Sequence, residues 1–119
     1  MAGIFRYPKR KLRKLIKDGE YGEAITFGKS IESKFPNDHD FMFIMGSIYF
    51  IVDEANQALP YFEKASSISP NDVETLTLKT NVHLALNQKD EAIKCCRRVV
   101  ELQPKNAEAR EILDALENA

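Results

Sequence analysis

The side chains best suited to chemistry in this 119-residue chain are two histidines and two cysteines. His39 and His83 are 44 residues apart, so the chain offers no pair of histidines at metal-ligand spacing. His39 lies between Asp38 and Asp40 at the start of a predicted helix, where carboxylates commonly cap the helix. His83 lies on the apolar face of another predicted helix. We therefore interpret both histidines as packed or surface residues and not as metal ligands or general bases.

Cys95 and Cys96 are adjacent, so on one helix their side chains point about 100 degrees apart, a poor geometry for a bridge between them. Two cysteines supply neither a disulfide framework nor the four ligands of a structural zinc site. We predict that Cys96 fills the core and that Cys95 is half exposed.

Paired carboxylates are the other candidates for chemistry, because acid–base catalysis uses them. Glu20 with Glu23, and Glu108 with Glu111, are neighbours on predicted helix surfaces, where nothing apolar surrounds them to shift a pKa. The sequence also lacks a glycine-rich phosphate loop and a serine partnered by a histidine. It therefore predicts a protein that is not an enzyme, with no catalytic, cofactor-binding or metal-binding residue.

The strongest pattern in the sequence is a period of 34 residues, which alanine and proline both follow. In each copy the proline comes 12 residues after the alanine. A fixed period of this length, with two helices in each copy, indicates a solenoid in which every helical hairpin packs on the next. The positions are Ala24, Ala58 and Ala92 for alanine, and Pro36, Pro70 and Pro104 for proline.

The central copy carries the clearest helical pattern. Met42, Met45 and Tyr49 recur at spacings of three and four, as on one face of a helix, and Gly46 lies among them where another backbone can approach closely. A second apolar run follows, and we predict two antiparallel helices that meet across the small residues Gly46 and Ala58. The eight positions that carry the pattern are Met42, Met45, Gly46, Tyr49, Ala58, Phe62, Ala65 and Pro70.

This pattern resembles the tetratricopeptide repeat, which favours large, small, aromatic and proline residues at these positions. Residues 39–72 match it almost completely, and residues 5–38 and 73–106 match it more loosely. The resemblance implies an all-α, right-handed α-solenoid of three helix pairs in a single domain, residues 1–119. In the first unit, Leu12 stands where the family has a small residue and Gly28 where it has an aromatic one. The two departures offset each other in volume if these residues are close in space.

The apolar periodicity and the turn residues predict seven helices. We expect Asn37 or Asp38 to cap the third helix, Asp90 to cap the sixth, and Pro60 to lie in the first turn of the fourth without breaking it. The last helix carries one apolar stripe and is predicted to cap the solenoid. The predicted spans with clear limits are 8–17, 21–34, 56–68, 73–86 and 107–117, with the third helix beginning near residue 39 and the sixth ending near residue 102.

Charge is distributed unevenly along the chain. The first 17 residues hold seven cations and no acid, whereas the remainder holds ten basic and 18 acidic residues, so the net charge of −1 conceals a strong dipole. Three interpretations of the basic segment remain open. It is a solvated helix face, it attracts an acidic peptide, or it binds anionic lipid or nucleic acid. The dipole also favours head-to-tail self-association.

In tetratricopeptide repeats the first helix of each pair lines a concave groove, so the resemblance also implies a set of peptide-binding residues. Phe43 and Phe50 take no part in the packing pattern within a repeat, which predicts an exposed aromatic pair that contacts a partner. The alternative is that these rings pack between neighbouring units. The ten residues are Lys9, Arg13, Ile16, Lys17, Phe43, Ser47, Phe50, Thr77, Asn81 and Leu84.

Some members of this family hold the terminal carboxylate of a chaperone tail with five polar residues. At the corresponding positions this chain has Lys9, Arg13, Ile44, Glu74 and Leu78, of which only Lys9 fits. We therefore predict a different ligand, an amphipathic helix or extended peptide that carries acidic and apolar residues.

The sequence thus predicts a non-catalytic adaptor or scaffold that binds a protein segment in its groove. The alternative is a peripheral membrane or nucleic-acid-binding module that uses residues 6–17, with nucleic acid disfavoured because only Phe5 and Tyr7 supply aromatic rings there. The apolar run 41–52 is too short to span a bilayer, and residues 1–17 lack the apolar core of a secretory signal. We expect a cytoplasmic protein, at most peripheral to a membrane.

Overall fold

The structure is a computed structural model that describes residues 7–118. Over this range the chain forms seven α-helices and no strand, as predicted, and a short 3₁₀ helix at Glu32–Lys34 extends the second helix. Residues 5 and 6, with which the first predicted repeat begins, lie outside the described residues. The helices are α1 (Pro8–Lys17), α2 (Tyr21–Ile31), α3 (His39–Ile51), α4 (Ala55–Ile68), α5 (Val73–Ala85), α6 (Lys89–Leu102) and α7 (Ala107–Glu117).

The helices pair as three hairpins, α1 with α2, α3 with α4 and α5 with α6, and each hairpin packs on the next. Helix α7 packs on α6 and ends the array. The molecule is accordingly elongated, with extents of 55 × 24 × 22 Å. The first helices also contact one another, α1 with α3 and α3 with α5. Successive helices approach each other on the inner side of a curved array, so the first helices line that side.

The turn inside each hairpin contains one residue in the left-handed backbone region. These residues are Gly19, Asp53 and Asn87, with φ of 77°, 64° and 59°, and they are spaced by the repeat period. The left-handed residue ends the first helix of each pair in a Schellman-type turn, which satisfies carbonyls that the helix leaves free. The amides of Glu20, Glu54 and Gln88 donate to the carbonyls of Leu15, Tyr49 and His83, each at 2.8 Å.

The turns between hairpins use side-chain caps at the same period. The residues that immediately precede α3, α5 and α7 are Asp38, Asp72 and Asn106. Each side chain accepts a hydrogen bond from the backbone amide three residues later, at 2.9, 3.1 and 3.0 Å respectively. The predicted cap of α3 is therefore confirmed. The predicted cap of α6 is wrong, because that helix begins at Lys89 and Asp90 lies within its first turn.

Helix α4 continues through Pro60, as predicted, but the proline is its sixth residue and lies beyond the first turn. A proline at this position removes the ladder bond to the carbonyl of Asn56. Both residues are exposed, so water can bind that carbonyl in place of the missing amide.

One close contact between the two helices recurs in the first and second hairpins. A Cβ placed on Gly46 would lie 2.9 Å from the ring of Phe62 on α4. In the first hairpin the residue sizes are exchanged, and a Cβ on Gly28 would lie 3.6 Å from Leu12 Cδ1 and 2.3 Å from Met45 Sδ. The predicted proximity of Leu12 and Gly28 is confirmed, with Met45 sharing the same space.

The apolar core runs along the array in two clusters. The larger joins the first two hairpins around fully buried side chains such as Leu12, Phe41 and Met45. The smaller joins α5, α6 and α7 through Leu76, Val99 and Ala109. Helix α7 therefore covers apolar surface of the third hairpin, which is the role predicted for it.

We expect opposite effects from two Gly→Ala substitutions only three residues apart. Gly19→Ala should lower the free energy of unfolding by about 1 kcal/mol, because an L-residue is strained at this positive φ. Gly22→Ala should raise it by up to about 0.5 kcal/mol, because Gly22 is helical and alanine has the higher helix propensity. An added Cβ meets no atom within 4 Å at either site, so backbone conformation alone distinguishes them.

Urea denaturation followed by circular dichroism measures both effects. Equal changes in the two variants would show that the left-handed turn is not formed.

Candidate peptide-binding groove

The ten predicted groove residues all lie on first helices, four on α1, three on α3 and three on α5. None is fully buried. Arg13, Lys17 and Thr77 are exposed, and the other seven are half-buried. The three helices that carry them are neighbours along the inner side of the array, so the residues share one surface.

The aromatic pair of α3 is less exposed than predicted. Phe43 and Phe50 are both half-buried and pack against the core. The ring of Phe43 meets Phe62 edge to face, with centroids 6.0 Å apart, and stacks near His39 on its other side. Contacts within the array thus bury part of each ring. Ile51, next to Phe50, is the more exposed apolar side chain, at 50 %.

The basic end of this surface is largely neutralised by the chain's own carboxylates. Lys9 Nζ lies 2.9 Å from Asp38 Oδ2 and 3.7 Å from Asp40 Oδ2, and Arg13 forms an ion pair with Asp40. These contacts tie α1 to the start of α3. Of the α1 cations, Lys17 and Arg10 are exposed and form no ion pair with residues 7–118, so they remain available to an acidic ligand.

Asp38 combines two roles, as the cap of α3 and as the partner of Lys9. Burial alone would raise the pKa of this carboxyl. The hydrogen bonds from Lys9 and from the Phe41 amide, together with the positive charge of Lys9, outweigh burial and hold the pKa below its usual value of 3.8. The carboxylate is therefore stabilised in its charged form in the folded chain.

A small pocket lies at the other end of the groove, between α5, α6 and α7. It has a volume of about 80 Å³ and includes two predicted groove residues, Thr77 and Asn81. Thr80 and Cys96 also line it, and they occupy the positions that Gly46 and Phe62 fill in the central hairpin. Neither is large, so space remains. The lining is Thr77, Thr80, Asn81, Cys96, Val99, Asn106, Glu108, Ala109 and Ile112.

The ten predicted groove residues do not include the carboxylates at this end. Glu74 and Glu108 lie in the first turns of α5 and α7, and Glu111 follows Glu108 by three residues. All three are exposed and form no ion pair within the described part of the chain. Asp40, Glu74 and Glu108 are spaced by the repeat period, a signal that was present in the sequence. The groove is thus acidic near α7.

The histidines and cysteines serve packing. His39 Nε2 lies 3.0 Å from Thr75 Oγ1 and 3.4 Å from Asp72, which links the second hairpin to the third. His83 is buried, with Nδ1 2.7 Å from Gln88 Oε1. Cys96 is buried as predicted, but Cys95 is only 8 % exposed and not half exposed.

Burial raises the pKa of both thiols, which disfavours the reactive thiolate. Across residues 7–118, no three histidine, cysteine, aspartate or glutamate side chains converge as they would around a metal ion. In the same range no helix combines the length and the hydropathy needed to cross a membrane.

Comparison with known proteins identifies the family. A family model described as tetratricopeptide repeat matches residues 52–118, which is 67 of the 119 residues. The chain belongs to the tetratricopeptide repeat family. A search of curated proteins returned no match.

Solved tetratricopeptide repeat structures share the fold. The first such domain of Spaghetti (RPAP3), bound to the HSP90 peptide SRMEEVD, is 26% identical with a TM-score of 0.83, and the match covers 93% of this chain and 88% of that one. MamA is 19% identical with a TM-score of 0.88, over 99% of this chain and 64% of that one. PcrH, in complex with the chaperone binding region of PopD, is 16% identical with a TM-score of 0.85, over 99% and 94%.

Within this family, the chain departs from the set of residues that holds a terminal carboxylate. Ile44 stands at one of those positions and is only 6% exposed. Leu78 stands at another and is half-buried. Lys9, the one residue that fits, is engaged by Asp38. The geometry therefore leaves no cluster of free cations and amides at these positions.

We expect Asp38→Asn to lower the free energy of unfolding by about 0.5–1 kcal/mol at neutral pH, because Lys9 loses the nearer of its two carboxylate partners while asparagine still caps α3. The folded-state pKa of Asp38 is depressed, so its contribution is present at neutral pH and is lost as the pH falls through that pKa, below 3.8. The difference from the original chain should therefore shrink toward zero in acid.

Urea denaturation at neutral pH and at a series of pH values below 3.8 checks this, since the contribution is lost as the carboxyl becomes protonated. Asp114→Asn is the matched control, because Asp114 is exposed on α7 and forms no ion pair within residues 7–118. If the free energies of unfolding of the variant and the original chain still differed in acid, the destabilisation would come from the cap of α3 and not from the ion pair with Lys9.

Proposed function

We propose that this protein is a non-catalytic adaptor or scaffold that binds a segment of another protein along its inner surface. The observation that carries the proposal is a row of partly exposed apolar side chains on the first helices. Ile16, Phe50 and Leu84 occupy the same position in successive repeats and are all half-buried. A continuous apolar strip between polar margins is the usual composition of a peptide-binding groove.

The relatives support a peptide ligand. The Spaghetti (RPAP3) domain, at 26% identity, was solved with the HSP90 peptide SRMEEVD. Because this chain lacks the residues that hold such a tail, the ligand we propose is a different one. It has apolar residues over α3 and acidic residues over α1, where Lys17 and Arg10 are available.

The packing of α1 favours a protein ligand over a membrane surface. Leu12 is fully buried, and Leu15 and Ile16 pack against the same core, so the apolar stripe of this helix is already covered. Lys9 and Arg13 are paired with aspartates, which reduces the positive charge that lipid or nucleic acid would meet.

Self-association is a second part of the proposal. The exposed cations Arg10, Lys14 and Lys17 lie on the first helix, and the exposed acids Glu111 and Asp114 lie on the last helix of a molecule 55 Å long. A contact between opposite ends of two copies would bring these charges together and could continue as an open assembly.

We expect light scattering to show a higher mean mass at low salt than at high salt, because screening weakens the contact between the ends. Glu111→Lys should abolish the difference. Glu63→Lys changes the net charge equally on the exposed surface of α4 and should preserve it. A monomer at both salt concentrations would remove self-association from the proposal.

A matched pair of serines tests the groove itself. Ser47 lies on α3 and its hydroxyl donates to the Phe43 carbonyl, whereas Ser67 lies on α4 and donates to the Lys64 carbonyl. Ser47→Arg should lower the affinity for peptides selected from a random display library by at least about tenfold, or 1.4 kcal/mol, because it places a long charged side chain in the groove. Ser67→Arg should leave the affinity unchanged.

Circular dichroism melting verifies that both variants fold. Equal affinity of the two variants, or a library that yields no binder, would contradict the proposed function.

A further inference from the structure

We infer that the 80 Å³ pocket between α5, α6 and α7 is an anchor subsite for a small aliphatic side chain of valine size, in a peptide whose neighbouring residues are lysine or arginine. This inference rests on the proposed function, since the pocket lies in the same groove. It specifies the size of the anchoring side chain, the charge of the neighbouring residues and the direction in which the peptide lies along the groove.

The pocket exists because the third hairpin fills its interhelical space poorly. In the central hairpin Phe62 occupies the space beside Gly46. The corresponding residues of the third hairpin, Thr80 and Cys96, are both of small or medium size and leave the space open. The Cys96 thiol is directed to the Ala109 carbonyl, at 3.3 Å, and the Thr80 hydroxyl to the Leu76 carbonyl, at 2.9 Å. The polar groups of the floor are thus already satisfied.

The volume limits what can enter. A cavity of about 150 Å³ accommodates benzene, and a water molecule occupies about 30 Å³. The pocket, at 80 Å³, has about half the volume of that benzene cavity, so a side chain of three or four carbon atoms matches it better than an aromatic ring does. Val99, Ala109 and Ile112 contribute apolar walls, so a branched aliphatic group is better suited to it than water or a polar group.

The rim can position a peptide backbone beside the anchor. Asn81 lines the pocket, is half-buried, and its amide makes no hydrogen bond within residues 7–118. A side-chain amide both donates and accepts, so it can bind a peptide carbonyl and a peptide N–H. Thr77 lies one helical turn earlier and is exposed at the mouth.

The charge around the mouth selects the neighbouring residues of the ligand. Glu108 lines the pocket, and Glu74 and Glu111 lie on the same two helices, all three exposed and without an ion pair in the described range. Arg110 is the nearest cation in sequence, and its Nε donates to the Pro104 carbonyl at 2.7 Å. Arg110 does not line the pocket, and Glu108 is the one charged residue among those that do. The local charge is therefore negative, whereas the opposite end presents Lys17 and Arg10. A bound peptide would place its basic residues over α5 and α7.

Four synthetic seven-residue peptides test this inference by NMR titration of the isotope-labelled full chain. The first has a central valine flanked by two lysines. The second keeps the valine but has two glutamates, and the third and fourth keep the lysines but have phenylalanine or glycine at the centre. We expect the first peptide to shift the amide signals of Thr77, Asn81, Ala109 and Ile112, with at least about tenfold higher affinity than the other three.

Two pairs of variants separate the pocket from the charge. Thr77→Leu narrows the mouth of the pocket and should weaken binding of the valine–lysine peptide about tenfold. Thr26→Leu on α2 is the control, because this threonine is also exposed, and it should leave the affinity unchanged. Glu108→Gln should weaken binding and reduce its salt dependence. Asp114→Asn, an equal charge change on the same helix, should do neither.

The outcomes distinguish this inference from the proposed function. Signal shifts confined to α1 and α3 would overturn the pocket subsite and leave the groove as a binding surface. The absence of any shift with all four peptides, or equal affinity for the glutamate peptide, would also overturn the subsite. The proposed function would fail only if the display library likewise produced no binder sensitive to Ser47→Arg.

Discussion

The structure depends on how closely the two helices of each hairpin can approach. At one crossing position in each of the first two hairpins, a small residue on one helix leaves room for a larger one on the other. Gly46 faces Phe62 in the central hairpin, and Gly28 lies beside Leu12 in the first. Since the core tolerates exchange when total volume is kept, the two hairpins can stack in the same way with opposite residue sizes. In the third hairpin both corresponding residues, Thr80 and Cys96, are of intermediate size, and both line a pocket.

Much of the fold could be predicted from the sequence, because its determinants are local and repeated. The period of alanine and proline, the apolar spacing and the aspartate before α3 act within a few residues of the chain, and the first and last helices have the predicted limits. The predictions that were wrong concern the residues at which two helices begin. The limits of α6 place Asp90 inside the helix, and Ala55 begins α4 one residue earlier than expected.

The groove was harder to predict, because its exposure and charge depend on residues far apart in the chain. Lys9 and Arg13 are residue types expected of an anion-binding surface. Their carboxylate partners, Asp38 and Asp40, lie 29 and 27 residues away, at the start of the next repeat. Phe43 looks unassigned within its own repeat pattern, but its ring packs on Phe62. The ion pairs depend on how one hairpin packs on the next, and the ring contact depends on how the two helices of one hairpin pack, and a single sequence displays neither.

The caps and turns of this protein recur with the same geometry at the same interval. Each hairpin after the first begins at a capping side chain, and each turn inside a hairpin carries a left-handed residue. A whole unit could therefore be duplicated or deleted without creating a helix end that lacks its hydrogen bonds. Gene duplication could in this way change the reach of the inner surface in steps of one hairpin, with the basic first helix and the acidic last helix moved apart while both are retained.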